Sequence, residues 1–153
     1  MERQASCPST AAPIGGLLNT ASFLREKGIQ PSPQRLRIYE ALSSTREHPS
    51  ADAIHRQLSP EMPTLSRTTV YFTLELFVGA GIAQELAITG SQLRFDAEVS
   101  SHAHFACRSC GCVVDLGGLQ AASLPELPLG FIAESSQYFI TGICPSCTVS
   151  TLA

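Results

Sequence analysis

The sequence lacks any uninterrupted apolar run approaching the length of a bilayer-spanning helix, so no helical membrane span is expected. The segment Met1–Lys27 has no basic start followed by an unbroken apolar stretch, so no secretory signal is expected and the chain reads as cytosolic. It also lacks an excess of positive charge. Ten Lys and Arg stand against 13 Asp and Glu, a net charge of −3, which gives no global sign of a nucleic-acid partner. No internal repeat is visible. Cysteine, in contrast, is not scarce. Six cysteines in a reducing compartment point to metal binding rather than disulfides. The 153 residues suffice for one ordinary domain or two small ones, and 44% hydrophobic residues make a buried core feasible. Small separate domains bury proportionally less surface, so a metal or a partner subunit would help to stabilise them.

Charge is unevenly distributed. Residues 1–81 carry eight basic and seven acidic side chains, net +1, whereas residues 82–153 carry two and six, net −4. That asymmetry is consistent with a DNA-facing N-terminal half and a metal-holding C-terminal half. Residues 1–14, rich in Ser, Ala and Pro, read as disordered. A first helix is expected from Leu17 to Lys27, ended by Gly28. Ser32-Pro33 starts a second helix, which runs to Thr45. Ser50 caps a third with Ala51, Ile54 and Leu58 on one face. Ser66 caps a fourth, in which Val70, Leu74 and Phe77 fall at i, i+4 and i+7 before Gly79 and Gly81. Ile82–Ile88 and Ser91–Asp96 read as two strands around a Thr89-Gly90 turn. Short helices followed by a hairpin make a winged helix-turn-helix pattern over residues 15–96, with a hinge at 97–101. Beyond it His102–Cys107, Val113–Leu116 and Tyr138–Ile143 read as strands, and Gly117–Gly130 as a segment with a short helix broken by Pro125 and Pro128. The fold class is therefore α+β, with a small α/β dimerisation and metal-binding domain over 102–153.

Two clusters carry chemistry. Cys107-x-x-Cys110 and Cys144-x-x-Cys147 are two pairs able to fill a tetrahedral thiolate shell, which suits a structural Zn2+; the alternative is a set of buried or redox-active thiols. Cys7 and Cys112 are left over. His102 and His104 are two apart on an expected strand, so they point to one side, while Cys107 has the opposite parity. Asp96, Asp115 and His48 are placed to join the two histidines. Five N/O ligands spanning the hinge suit Fe2+ or Mn2+. Each of the five also has a plainer reading as a solvated loop, strand or turn residue.

The ordered set Ser32-Pro33-Gln34-Arg35, His48-Pro49-Ser50-Ala51, Thr69-Val70-Tyr71, Arg94-Phe95-Asp96, His102-x-His104 with Cys107-x-x-Cys110, and Gly142-x-Cys144-x-x-Cys147 resembles the ferric uptake regulator family over about residues 17–147. Within that family it is most similar to the peroxide-sensing branch. The resemblance implies a homodimeric repressor, not an enzyme, that binds double-stranded DNA at a palindromic operator. It implies structural zinc on the four cysteines and a regulatory Fe2+ or Mn2+ on His48, Asp96, His102, His104 and Asp115. Asp at position 115 is the feature that points to peroxide rather than iron. The resemblance further implies that peroxide is sensed by metal-catalysed oxidation of His48 or His102. Ala103 and Ser135-Ser136 stand where other members carry the ligands of a further site, so a single regulatory site is expected. Phe72 follows Tyr71 where the family usually has a polar residue.

The fourth helix is the candidate reader of DNA. Arg67, Thr68 and Tyr71 near its start are candidates for base contacts, and Arg35 and Arg56 for phosphate contacts. The rival readings are an iron-sensing repressor of the same fold, a zinc-stabilised thiol redox protein, and a zinc-stabilised interaction module without a DNA role. The redox reading needs an accessible, low-pKa thiol, usually at a helix N-terminus, whereas the pairs here are expected at strand ends.

Overall fold

The structure, a computed structural model, describes residues 17–88, 93–116 and 126–151. The N-terminal segment 1–14, the Thr89-Gly90 turn and most of the expected helix in Gly117–Gly130 lie outside them. Residues 126–130 of that last segment form a turn at Leu129-Gly130 rather than a helix. The chain divides into two compact units between Val99 and Ser100.

The first unit comprises α1 (Leu17–Glu26), α2 (Pro33–Ser43), α3 (Ala51–Leu58), α4 (Arg67–Gly79), β1 (Gln84–Leu86) and β2 (Arg94–Asp96). Three helices start on a serine. Ser32, Ser50 and Ser66 have extended backbones, and their side chains accept from the backbone N–H of Arg35, Ala53 and Thr69, filling donors that the first turn leaves open. Two helices end in the same way. Gly28 and Gly81 take φ of +76° and +67°. Behind each, the chain closes with paired bonds, Gly28 N–H to Arg25 and Ile29 N–H to Leu24, then Gly81 N–H to Val78 and Ile82 N–H to Phe77. This is the left-handed helix stop that glycine permits. Its cost to the hairpin is visible: with the Ile82 N–H bound to the helix, pairing starts only at Gln84. β1 is accordingly shorter than the expected Ile82–Ile88; β2 starts at Arg94, and Ser91 and Gln92 of the expected Ser91–Asp96 lie outside the described residues. The strands pair antiparallel as Gln84↔Asp96, Glu85↔Phe95 and Leu86↔Arg94. The helices and hairpin close on one core of Leu24, Ile38, Leu42, Ile54, Val70, Leu74, Phe77 and Phe95, all essentially inaccessible to solvent. Phe23, Tyr39 and Phe77 stack in series through it, the last pair edge to face.

The second unit holds β3 (Ala103–Cys107), β4 (Val113–Leu116), β5 (Tyr138–Gly142) and α5 (Pro145–Thr151). The sheet order is β4-β3-β5, with β3 central, antiparallel to β4 and parallel to β5. His102 lies one residue outside β3, and β5 stops at Gly142. Helix α5 is absent from the sequence-based reading. Its seven residues, rich in Ser and Thr, have weak helix propensity, and only Pro145 at the first position signals it.

Because α4 depends on the Ser66 hydroxyl at its start, Ser66→Ala is expected to lower unfolding free energy by about 1 kcal/mol, measured by denaturant titration.

Candidate functional site

In the first unit the His48-Pro49 loop is held by β2, one residue at a time. His48 is buried and has a positive φ of 49°, a conformation that costs a non-glycine residue on the order of 1 kcal/mol. The Arg94 guanidinium donates to the His48 carbonyl at 3.3 Å. The Phe95 N–H donates to the Pro49 carbonyl at 3.1 Å. Asp96 then faces the imidazole, with its Oδ2 3.6 Å from His48 Nε2. The Asp96 carboxylate is itself oriented: the Glu98 N–H donates to Oδ1 at 2.8 Å and the Gln84 amide to Oδ2 at 3.3 Å. Gln84 was missed by sequence reasoning. The only signal for it was its place opposite Asp96, which depends on the register of the hairpin.

In the second unit a matching set forms on one face of the sheet. His104 and Asp115 are direct neighbours across β3 and β4. Asp115 Oδ1 is 3.3 Å from His102 Nε2 and 3.5 Å from His104 Nε2, and the two imidazole rings lie 4.3 Å apart. His104 stacks on Phe139 of β5, which fixes its ring plane. His102 Nδ1 is 2.8 Å from the Ser100 carbonyl, an acceptor only, so this nitrogen carries the proton. Nε2 is then the nitrogen that faces Asp115. A histidine that donates through one nitrogen to a carbonyl and presents the other is arranged as metal-ligating histidines usually are. Each of the two sets is a hard N/O donor group suited to a divalent cation.

The opposite face of β3 carries sulfur. One ligand atom from each of Cys107, Cys110, Cys144 and Cys147 lies within 4.8 Å of all the others. Cys110 and Cys144 sulfurs are 3.7 Å apart. Zn–S bonds of about 2.3 Å in a tetrahedron place sulfurs roughly 3.8 Å apart, so this spacing fits a four-thiolate zinc site. The expectation that both pairs sit at strand ends is corrected for the second pair. Cys144 precedes α5 and Cys147 is in its first turn, where the Cys147 N–H returns to the Cys144 carbonyl at 3.0 Å. Burial pushes the Cys107 thiol up, but backbone N–H groups of Cys110, Cys144 and Ser109 outweigh it and bring the pKa down to about 6. The Cys144 N–H donor to Cys107 sulfur is at 3.3 Å. Cys144 is also lowered, chiefly by the Cys147 backbone N–H. Cys147 is pushed up to about 12. The Ser109 side chain lowers it, but hydrogen bonding with Cys144 and the other thiols, together with burial, outweighs that. Cys112 is half-buried and packs against this cluster.

Of the candidate DNA contacts, Arg67, Thr68 and Tyr71 are exposed on the first turns of α4. Arg67 Nε lies 3.6 Å from Asp52 Oδ1 on α3, a solvent-exposed pair that positions more than it stabilises. Arg35 is half-buried, and one of its donors is spent on the Gln30 carbonyl at 2.7 Å. Arg56 is exposed, with its Nε 3.4 Å from the Asp52 carbonyl.

The model of the family described as "Ferric uptake regulator family" matches residues 26–124. The peroxide-responsive repressor PerR of Staphylococcus aureus is 36% identical over 134 residues, covering 86% of this chain and 90% of that protein. A solved structure of PerR from Streptococcus pyogenes, described as the structural basis for peroxide sensing and gene regulation, is 27% identical with a TM-score of 0.50, covering 93% of this chain and 99% of that one. The ferric uptake regulator (Fur) of Vibrio cholerae, 21% identical, matches in fold with a TM-score of 0.62 over 81% of this chain and 98% of that one.

Thiols must lose protons to bind a metal. With Cys107 already a thiolate above a pH of about 6, zinc binding to the metal-free protein near pH ~7 is expected to release fewer protons than the four held by four ordinary thiols. The count should rise toward four, and affinity should fall, as pH drops below about 6. Calorimetry in buffers of different ionisation enthalpy measures both.

Proposed function

The chain belongs to the ferric uptake regulator family, and from that premise we propose that it is a metal-dependent, DNA-binding transcriptional repressor that senses peroxide in the cytoplasm. The observation that carries the reading is the pair of histidine–carboxylate sets: His48 with Asp96, and His102 and His104 with Asp115. In this reading the two sets serve one regulatory Fe2+ or Mn2+, and Cys107, Cys110, Cys144 and Cys147 hold a structural Zn2+. Residues 97–101 act as the hinge that the shared ion fixes. Support for peroxide rather than iron comes from relatives named as peroxide-responsive repressors, 36% identical over most of the chain, and from Asp115 in the ligand set.

The residues divide the work. Arg94 and the Phe95 N–H keep the His48 loop in its strained conformation, and Gln84 and the Glu98 N–H aim Asp96. The Ser100 carbonyl sets the tautomer of His102. Fe2+ held by these residues would supply an electron that cleaves the O–O bond of hydrogen peroxide to hydroxide and a local oxidant able to add oxygen to an adjacent imidazole, whereas Mn2+ would give repression without that sensitivity. His48 or His102, once oxidised, is a poorer donor, so the hinge is released and the repressor leaves its operator. Helices α2 to α4 with the β1–β2 hairpin form the winged helix, and α4 enters the major groove. Arg67, Thr68 and Tyr71 face bases, and Arg35 and Arg56 face phosphates. The active form is a homodimer on a palindromic operator. In the second unit β5 is an edge strand among the described residues, with Ile140 half exposed, and Leu129, Phe131 and Ile132 expose most of their surface, apolar side chains available to a second copy. The iron-sensing alternative predicts that peroxide at constant Fe2+ does not release DNA.

The test is duplex binding by the full chain loaded with Fe2+ or Mn2+, with and without peroxide. Only the Fe2+ form should release DNA, with a one-oxygen mass increase on a peptide containing His48 or His102. Release from an unmodified protein would defeat the mechanism. His48→Ala should abolish metal-triggered operator affinity while zinc content is unchanged. Gln84→Ala, which removes a donor to the Asp96 carboxylate, should weaken regulatory metal affinity about tenfold or more.

A further inference from the structure

Helix α4 has a second aromatic side chain that none of the roles above uses. At about 100° per residue, the buried stripe of Val70, Thr73, Leu74 and Phe77 defines the inward side of the helix. Thr68 and Phe72, one turn apart, project from the opposite side, and Tyr71 and Leu76 flank them. Phe72 is 62% exposed, against 36% for Tyr71 and 38% for Leu76. The Glu75 carboxylate, one turn further along the helix, raises the Tyr71 pKa, chiefly through its charge. Tyr71 and Phe72 meet edge to face at 6.1 Å, which restricts the Phe72 ring. The start of α4 carries the positive end of the helix dipole, and its first turn contains no acid and begins with Arg67, whose partner Asp52 sits on α3. An anionic duplex is thus the partner that complements this end of the helix.

We propose that Phe72 is a specificity-determining residue that packs on the C5-methyl group of a thymine in the major groove. The inference rests on the reading of α4 as the DNA-reading helix. Phenylalanine has no donor or acceptor, and of the groups that base pairs display in the major groove only the thymine methyl is apolar. The most exposed large apolar side chain of the helix is therefore blind to the hydrogen-bonding pattern of the bases and selective for that one group. Thr68, on the same line one turn earlier, brings a methyl and a hydroxyl to the adjacent base step.

The experiment uses the full-length, metal-loaded dimer and an operator selected from a random duplex library. Each thymine is replaced in turn by deoxyuridine, which removes only the methyl. At the position Phe72 contacts, the unsubstituted protein is expected to lose about fourfold in affinity, the worth of one buried methyl. Phe72→Ala should bind the thymine operator more weakly and show no further loss on the uracil one. Phe72→Leu, which remains apolar, should keep part of the discrimination. Zinc content and thermal unfolding of both variants should match the parent, because the side chain is exposed. An equal methyl penalty in the parent and in Phe72→Ala, or no methyl-sensitive position at all in the parent, would overturn the role of Phe72 while leaving the repressor intact. Failure of the parent to bind any duplex in a metal-dependent way would instead overturn the regulator reading, and this inference with it.

Discussion

A buried histidine with a left-handed backbone has to be held there by something, and in this protein the holder is three consecutive residues of one short strand. Arg94 bonds the His48 carbonyl, Phe95 bonds the next carbonyl and fills the core, and Asp96 presents its carboxylate to the imidazole. The strand in turn owes its position to β1, whose Gln84 pairs with Asp96 in the ladder and grips its carboxylate. The stability of the helical core and the aim of the His48–Asp96 pair are therefore one mechanical problem.

The second unit solves a different problem with the period of a strand. His104 points to one face of β3 and Cys107 to the other, three residues later, so a five-residue strand supplies both a nitrogen donor and a thiolate without crowding. The two faces also differ in character. Nitrogen and oxygen donors crowd one side, where Phe139 stacks on His104, and sulfur with Phe105 and Ile143 occupies the other. The nitrogen–oxygen and sulfur donor sets are kept apart by pleat geometry rather than by distance along the chain.

Much of this was legible from sequence because it rests on local chemistry. The serine caps of α2, α3 and α4, the glycine after α1 and the parity of His102, His104 and Cys107 each depend on a few adjacent residues. What escaped depends on pairing partners. The role of Gln84 follows from hairpin register. The shortness of β1 follows from a hydrogen bond that Ile82 sends back to Phe77. Helix α5 was hidden because Ser, Thr and Val in a seven-residue stretch give no helical pattern. The strand-end placement of the second cysteine pair failed for the same reason.

The parallel pairing of β3 with β5 has a consequence for how this sheet avoids error. Parallel strands finish at the same edge, so the cysteine pairs that follow β3 and β5 emerge side by side, Cys107 level with Gly142. A slip of two residues preserves the in–out alternation of side chains and is hard for hydrophobic packing alone to reject. It would shift one pair of sulfurs by about 6.6 Å along the strand relative to the other, too far for one tetrahedral ion to bridge. A bound ion at that corner would thus act as a proofreader of strand alignment, accepting the native pairing and leaving the shifted one unlocked.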